Sequence, residues 1–381
     1  MRGGLQLSFK GIGTTVGLLT LCPQLFEATA IAILSRVLFD MPWAVAYANG
    51  FCIGAVSPAV LLQSVMRLIQ LNRGTKKGIP SIMLIASSFD DIVAITVFSA
   101  FISIAFDEIT SSTKGADIKT MVGMNVFYFI IGILFGALSG YSMAIFNKCS
   151  KWEAPRAKIW IKFFICIALA IGLPFACHYT RFDESKYIGI IFFGYFAYTV
   201  WGMEKPDPEL AQFWILCQPF LFSSVGASII IKNINVDVFG KAILILVVGV
   251  LCRLIGTFLV TAGQGFTIKE RGFFAFSWIP KATVQAAIGG IVLDNARGLA
   301  DISDEDRKAY IEFGSIVLTM AVLSIILTAP SGAILINTLG TRWLSDDTPT
   351  EDEEKGEGEG APKVEEVEDE SVHTARKLNN D

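Results

Sequence analysis

Charge is what this sequence has least of. Only 17% of its 381 residues are Asp, Glu, Lys or Arg, against about 25% in an average soluble domain, and 53% are hydrophobic. Such a composition excludes an ordinary soluble domain and points to a polytopic membrane protein. Histidine is nearly absent: His178 closes an apolar run and His373 lies near the C-terminus, which argues against a metal centre. The seven cysteines make no CxxC pair, and five of them (Cys52, Cys166, Cys177, Cys217, Cys252) lie within apolar runs, so neither a zinc site nor a disulfide framework is expected. The formal charge of −4 comes mostly from the acid-rich stretch 345–370, so it argues against a nucleic-acid partner. The opening Met-Arg-Gly-Gly-Leu-Gln-Leu lacks the sequence of regions that makes a signal peptide and reads as the last turn of a helix whose beginning is missing.

What the chain has in abundance is long apolar runs. About ten reach spanning or near-spanning length, at roughly 12–35, 43–66, 78–106, 121–146, 157–179, 186–202, 211–231, 239–263, 272–293 and 310–338. The pattern predicts an all-α polytopic membrane protein. Numbering the connectors alternately puts Arg2, Lys10, Arg73, Lys76, Lys77, Lys148, Lys151, Arg156, Lys158, Lys269, Arg271 and Arg342 on one side. Asp107/Glu108, Asp183/Glu184 and Asp301 to Asp306 fall on the other. The positive-inside rule then places both termini in the cytosol. Residues 345–381 read as a disordered acidic cytoplasmic tail.

Five charges interrupt these runs at hydrocarbon depth: Glu27, Asp90, Asp91, Arg253 and Lys281. An ionisable residue at a bilayer centre costs roughly 2.5–3.5 kcal/mol on the insertion scale, so each needs a partner or a function. Glu27 and Arg253 both fall near mid-segment, and a buried salt bridge between them is expected. The adjacent pair Asp90 and Asp91 lies inside the run 78–106, which is otherwise free of charge.

Two segments are also broken at depth. Gly54-Ala-Val-Ser-Pro58 interrupts the second, and Trp278-Ile-Pro280-Lys281-Ala-Thr283 the ninth. A proline removes a backbone donor and displaces the carbonyl one turn back, so polar backbone is freed where water is scarce. The breaks correspond: in each half a segment with one mid-span charge (Glu27; Arg253) precedes a proline-broken helix (Pro58; Pro280) by about 30 residues, and the alternating count opposes the two halves. That is the pattern of inverted-topology repeats in which two discontinuous helices cross at the bilayer midplane and shape a substrate site. The Asp90/Asp91 segment follows the first break directly.

The stretches Leu-Cys-Pro-Gln-Leu-Phe-Glu-Ala (21–28), Gly-Ala-Val-Ser-Pro-Ala-Val (54–60), Ser-Phe-Asp-Asp-Ile (88–92) and Pro-Lys-Ala-Thr-Val-Gln-Ala-Ala-Ile-Gly (280–289) resemble the animal NHA-type sodium/hydrogen exchangers of the cation:proton antiporter 2 superfamily. The similarity runs in order from about residue 2 to about 342. It implies a Na+/H+ antiporter fold in a homodimer, with a mobile core domain sliding against a dimerisation domain in elevator-like alternating access. It further implies that the positions of Asp90 and Asp91 carry the ion, that Glu27 and Arg253 form an ion pair, and that Lys281 sits at the crossover. The expected organisation is a transmembrane antiporter domain over 1–344, with core helices at about 12–106 and 239–338 and linker or scaffold helices over 121–231. Family members carry about four further helices upstream, so an N-terminally truncated form is expected.

The implied activity is exchange of Na+ or Li+ for H+, serving pH homeostasis, with ion and proton competing for Asp90 and Asp91. Sodium is a hard cation that takes oxygen ligands. The two carboxylates, carbonyls freed near Val56 and Ser57, and the Ser87 oxygen one turn before Asp90 would supply them. Lys281 either tunes a site carboxylate or braces the broken helix, and the resemblance leans towards a one-for-one electroneutral swap. No cofactor beyond the transported ions is expected, and no enzymatic activity. An intramembrane aspartyl protease needs its two Asp residues on separate helices; a channel or receptor does not need paired broken helices with five buried charges. A potassium/proton exchanger, a sodium-coupled organic-anion carrier and a truncated, non-transporting partner of a full-length subunit stand as alternatives. Plasma, endosomal and mitochondrial membranes are equally compatible with these patterns.

Overall fold

The computed structural model describes residues 13–111, 118–149, 155–180, 185–202, 205–227, 236–298 and 303–347, and among them the chain is helical apart from one isolated bridge between Arg73 and Asp346. The helices are α1 (Thr14–Phe39), α2 (Trp43–Gly54), α3 (Pro58–Gln70), α4 (Ile79–Ser111), α5 (Ile118–Cys149), α6 (Pro155–Thr180), α7 (Ser185–Trp201), α8 (Asp207–Ala227), α9 (Val236–Val260), α10 (Ile268–Ser277), α11 (Thr283–Ile288), α12 (Ile291–Gly298) and α13 (Asp304–Trp343). Among the described residues, five stretches are long and apolar enough to cross a membrane: Thr14–Phe39, Trp43–Gln70, Ile79–Asp107, Val238–Val260 and Asp304–Trp343. The expected tail beyond 347, the basic Arg2 and Lys10 and the acid loop at Asp183/Glu184 lie outside the described residues.

The described parts of all ten expected apolar segments fall mainly on helices, but the ninth is divided three ways, into α10, α11 and α12. Local chemistry sets the boundaries. Asp40 closes α1 in the left-handed region at φ 51°, and Pro42 opens α2. Residues Ala55 and Ser57 are extended, and Pro58, lacking an N–H that a first turn leaves unpaired anyway, starts α3. Thr267 caps α10 through a reciprocal box with Glu270, and Ser303 caps α13. The second break lies at 278–282, and its Pro280 packs on Gly332 of α13, where a Cβ would collide with the proline ring.

Two apolar clusters reveal how the helices run. One gathers Ala28 to Ala32 of α1, Ala44 to Ala55 of α2, Ala94 to Ala105 of α4, Ala242 to Leu246 of α9, Val284 and Ile288 of α11, and Tyr310 to Ala321 of α13. The other gathers Val16 and Leu19, Leu61 to Leu68 of α3, Ile79 to Ala86, Phe273 to Trp278 of α10 and Ile336. Thus α1 runs from the second cluster to the first, the α2–α3 pair from first to second, and α4 back again. The α10–α11 pair runs opposite to α2–α3, and α13 opposite to α4. Reading the clusters in chain order therefore yields two oppositely directed repeats with a broken helix in each. The α5–α8 block joins them: α5 packs on α7, α6 on α7 and α8, and α8 touches α11.

Candidate functional site

Every element that passes between the two apolar clusters carries its polar residues at the changeover: Gln24 and Glu27 on α1, 55–57 in the first break, Asp90 on α4, Lys281 in the second break and Thr328 on α13. The breaks touch directly, since the Ser57 N–H donates to the Pro280 carbonyl at 2.8 Å. Here backbone groups freed by the interruptions meet side chains from five helices, α1, α4, α9, α11 and α13.

The carbonyls at the end of α2 are the acceptors. Gln24 Nε2 donates to Phe51 O at 3.3 Å, and Gln285 Nε2 to the carbonyls of Cys52, Ile53 and Ala55 at 3.0, 3.1 and 2.8 Å. Gly54 O accepts from Arg253 Nη1 and from Lys281 Nζ, the latter at 3.2 Å. A helix C-terminus carries partial negative charge, so cations and amide donors belong there. Five consecutive carbonyls, 51–55, are thus met by side chains from α1, α9, α11 and the second break.

Arg253 organises the charges. Its Nη1 lies 2.5 Å from Glu27 Oε2 and donates to Gln24 Oε1 at 3.1 Å, while Nη2 faces Asp90 Oδ1 and Oδ2 at 3.1 and 3.3 Å. Lys281 Nζ shares the same Glu27 Oε2 at 2.8 Å, and its backbone N–H donates to Thr328 Oγ1 at 3.0 Å. Asp90 Oδ2 also accepts the Val56 N–H at 2.8 Å. Glu27, Asp90, Arg253 and Lys281 are each at most 1% exposed.

Asp91 stands outside this network. Its Oδ1 is buried with no hydrogen-bond partner among the described residues, and the same holds for Ser57 Oγ and Thr283 Oγ1. Ser87, one turn before Asp90, is buried and donates its proton to Leu84 O at 3.1 Å, which leaves lone pairs on its oxygen. Gly54 and Pro58 bound the first break; Ser277 and Thr283 bound the second, with Pro280 inside it.

Two details differ from the sequence expectation. The Glu27–Arg253 pair is a four-residue cluster, because Asp90 and Lys281 share the same charges. Val56 meets the site through its N–H rather than its carbonyl, since the chain there is extended, and the freed carbonyl that the bases use is Gly54. Lys281 reaches both Glu27 and the end of α2. Gln24 and Gln285 went unnoticed; an uncharged amide at mid-span in each repeat was the available signal.

Two oppositely directed repeats whose broken helices cross at a buried charge cluster define the architecture of an inverted-repeat secondary transporter. The same fold occurs in the sodium proton antiporter MjNhaP1 from Methanocaldococcus jannaschii, with a TM-score of 0.63 at 17% identity over 90% of this chain and 82% of that one. Residues 5–335 match the family model described as sodium/hydrogen exchanger, transmembrane, and the chain belongs to that family as an integral membrane protein. Sodium/hydrogen exchanger 9B2 of Mus musculus is 36% identical over 94% of this chain and 63% of its own length. The Homo sapiens 9B2 protein is 33% identical over 96% and 66%, and Homo sapiens 9B1 30% identical over 91% and 64%. The chain therefore spans just under two thirds of these relatives, and they bear out the resemblance to animal NHA-type exchangers.

Proposed function

We propose that the chain exchanges Na+, or Li+, for H+ across a membrane by alternating access, with Asp90 and Asp91 at the point of competition. The observation that carries this reading is the charge count at the crossing. Arg253 and Lys281 offset Glu27 and Asp90, and Asp91, with a buried oxygen lacking a partner, is left as the third acid against two bases. An isolated carboxylate away from water is costly, so it takes either a proton or a cation. Both neutralise it and neither leaves room for the other; that exclusion is the coupling. With both bases keeping their charge, one Na+ replaces one H+ and the cycle is electroneutral.

The oxygens suit a hard cation. Asp91 Oδ1, Ser57 Oγ and Thr283 Oγ1 have no partner among the described residues, the Ser87 oxygen retains lone pairs, and Asp90 joins if Arg253 swings wholly to Glu27. The apolar clusters above and below the crossing act as the two barriers that open in turn. The transporter works as a homodimer in a lipid bilayer, with both termini in the cytosol.

The test is proton flux in proteoliposomes, followed with a pH-sensitive dye and Na+, Li+ and K+ in turn. Asp90→Asn with Asp91→Asn abolishes Na+- and Li+-driven flux; undiminished flux removes the pair from the mechanism. Flux driven by K+ alone makes the chain a potassium/proton exchanger.

A further inference from the structure

A groove of about 610 Å³ lies outside the crossing, between the last turns of α9, the half helix α10 and the end of α13. Its volume falls in the range of ligand clefts, roughly 300–1,000 Å³. Gly272 and Ala275 line it beside the bulkier Ile255, Phe258, Phe276 and Trp343. The groove is almost wholly apolar except at one end, where Lys269 is among the lining residues. Lys269 and Arg342, the latter one residue before Trp343, are both exposed, and neither has an ion pair or hydrogen bond among the described residues. The neighbouring cations are engaged: Arg271 donates to Phe258 O at 2.8 Å, and Lys77 pairs with Glu270 at 2.7 Å.

We infer that this groove is a binding site for an anionic phospholipid, one acyl chain lying along α9 and α10 and the headgroup phosphate held by Lys269 and Arg342. Three features meet here. Tryptophan is the residue of the membrane–water interface, and Trp343 marks that level. Both exposed cations lie on the side that the basic connectors assign to the cytosol, where the leaflet is negatively charged. The groove is apolar enough for a hydrocarbon chain and too poor in hydrogen-bonding groups for a peptide. A lipid seated there packs on α10, which runs straight into Pro280 and Lys281. The inference concerns binding and stands independently of the exchange reading.

The 381-residue chain, reconstituted in phosphatidylcholine nanodiscs, is irradiated with a trace of phosphatidylglycerol carrying a photoreactive group in one acyl chain. Labelled peptides are then mapped by mass spectrometry. Labelling concentrates on 254–259 and 268–276 and is competed by unlabelled phosphatidylglycerol, not by added phosphatidylcholine. Lys269→Gln with Arg342→Gln weakens that competition roughly thirtyfold, as expected for two cations near a membrane surface. Leu259→Trp, an exposed position that fills the groove, suppresses the labelling with both charges intact, and an unchanged melting temperature shows that each variant is folded. Labelling spread evenly over lipid-facing sites such as Leu244 and Leu138, equal competition by phosphatidylcholine, or a charge variant that competes like the parent overturns the assignment.

Discussion

At the crossing, polar bonds join residues far apart in sequence; in the α5–α8 block, shape does the joining. Arg253 alone binds Gln24, Glu27, Gly54 and Asp90, which come from three other segments of chain. In the block, Gly136 and Gly140 bring α5 so near α7 that a Cβ would stand 2.7 Å from Phe192 Cβ and 2.5 Å from Phe196 Cβ, respectively. Rings of Trp160, Phe163, Phe164 and Phe213 tile the contact of α6 with α8. The difference teaches where each region is vulnerable. Removing a group at the crossing strands a buried charge, whereas changing a side chain in the block alters a spacing.

The sharpest test of that contrast is Glu27→Ala. It leaves Arg253 and Lys281 without their shared carboxylate, and should lower stability by about 3–5 kcal/mol and remove transport, read by thermal unfolding and by flux. If the Glu27–Arg253 pair were isolated, the charge swap Glu27→Arg with Arg253→Glu would recover part of the loss. In the four-residue cluster it does not, because the new arginine faces Lys281 and the new glutamate faces Asp90. Substantial recovery would show those two residues to be bystanders.

Gln285→Leu comes next. It deprives three buried carbonyls of a donor and should cost on the order of 2 kcal/mol, at about 1–3 for a buried group left unpaired. Because those carbonyls border the break, the apparent Na+ affinity should shift as well; a fall in melting temperature alone would reduce Gln285 to packing. Gly140→Ala is smaller, about 1 kcal/mol of overpacking between α5 and α7. It should leave apparent ion affinity unchanged, and an altered affinity would erase the distinction between the regions.

The smallest effect belongs at the end of α13, where Asp347 Oδ2 accepts the Lys76 N–H at 2.8 Å and Thr75 Oγ1 at 3.3 Å. Slight burial acts to raise its titration point, but the Lys76 N–H and the Ser345 and Thr75 hydroxyls outweigh it, so the carboxyl titrates below its ordinary value. Its contribution is complete above the ordinary carboxylate pKa of about 3.9 and is lost as pH falls through the lowered folded value. Asp347→Asn should therefore speed hydrogen exchange at Gly74 and Lys76 slightly at pH 7, and match the parent in strong acid. A difference that grows on acidification would reverse the sign.

Hydropathy made the helices legible, because a span needs only length and apolar character, and Pro58 and Pro280 marked the two breaks, although α1, α8 and α13 run unbroken through Pro23, Pro219 and Pro330. The five buried charges were legible as an anomaly for the same reason. Their partners were less so. Glu27 and Arg253 were paired from matching depth, but depth does not say which way a guanidinium turns, so the second bond to Asp90 escaped. Gln24 and Gln285 carry no charge, so hydropathy gave them no weight although they meet four of the five α2 carbonyls. The division that makes α12 went unseen because Gly289-Gly290 lies inside an apolar run.

Composition, run length and the two prolines determined by themselves that this chain is a helical membrane protein with acids, bases and broken helices at matching depth in two halves. Those are properties of neighbours along the chain, governed by the cost of taking side chains and backbone out of water. The tertiary structure alone decided that Glu27 Oε2 serves two bases, that Asp90 is held by Arg253 and the Val56 N–H, and that Asp91 is left over. Those contacts join residues up to 254 positions apart, and hydrogen bonds depend on ångström-scale distance and direction that only the packed helices supply.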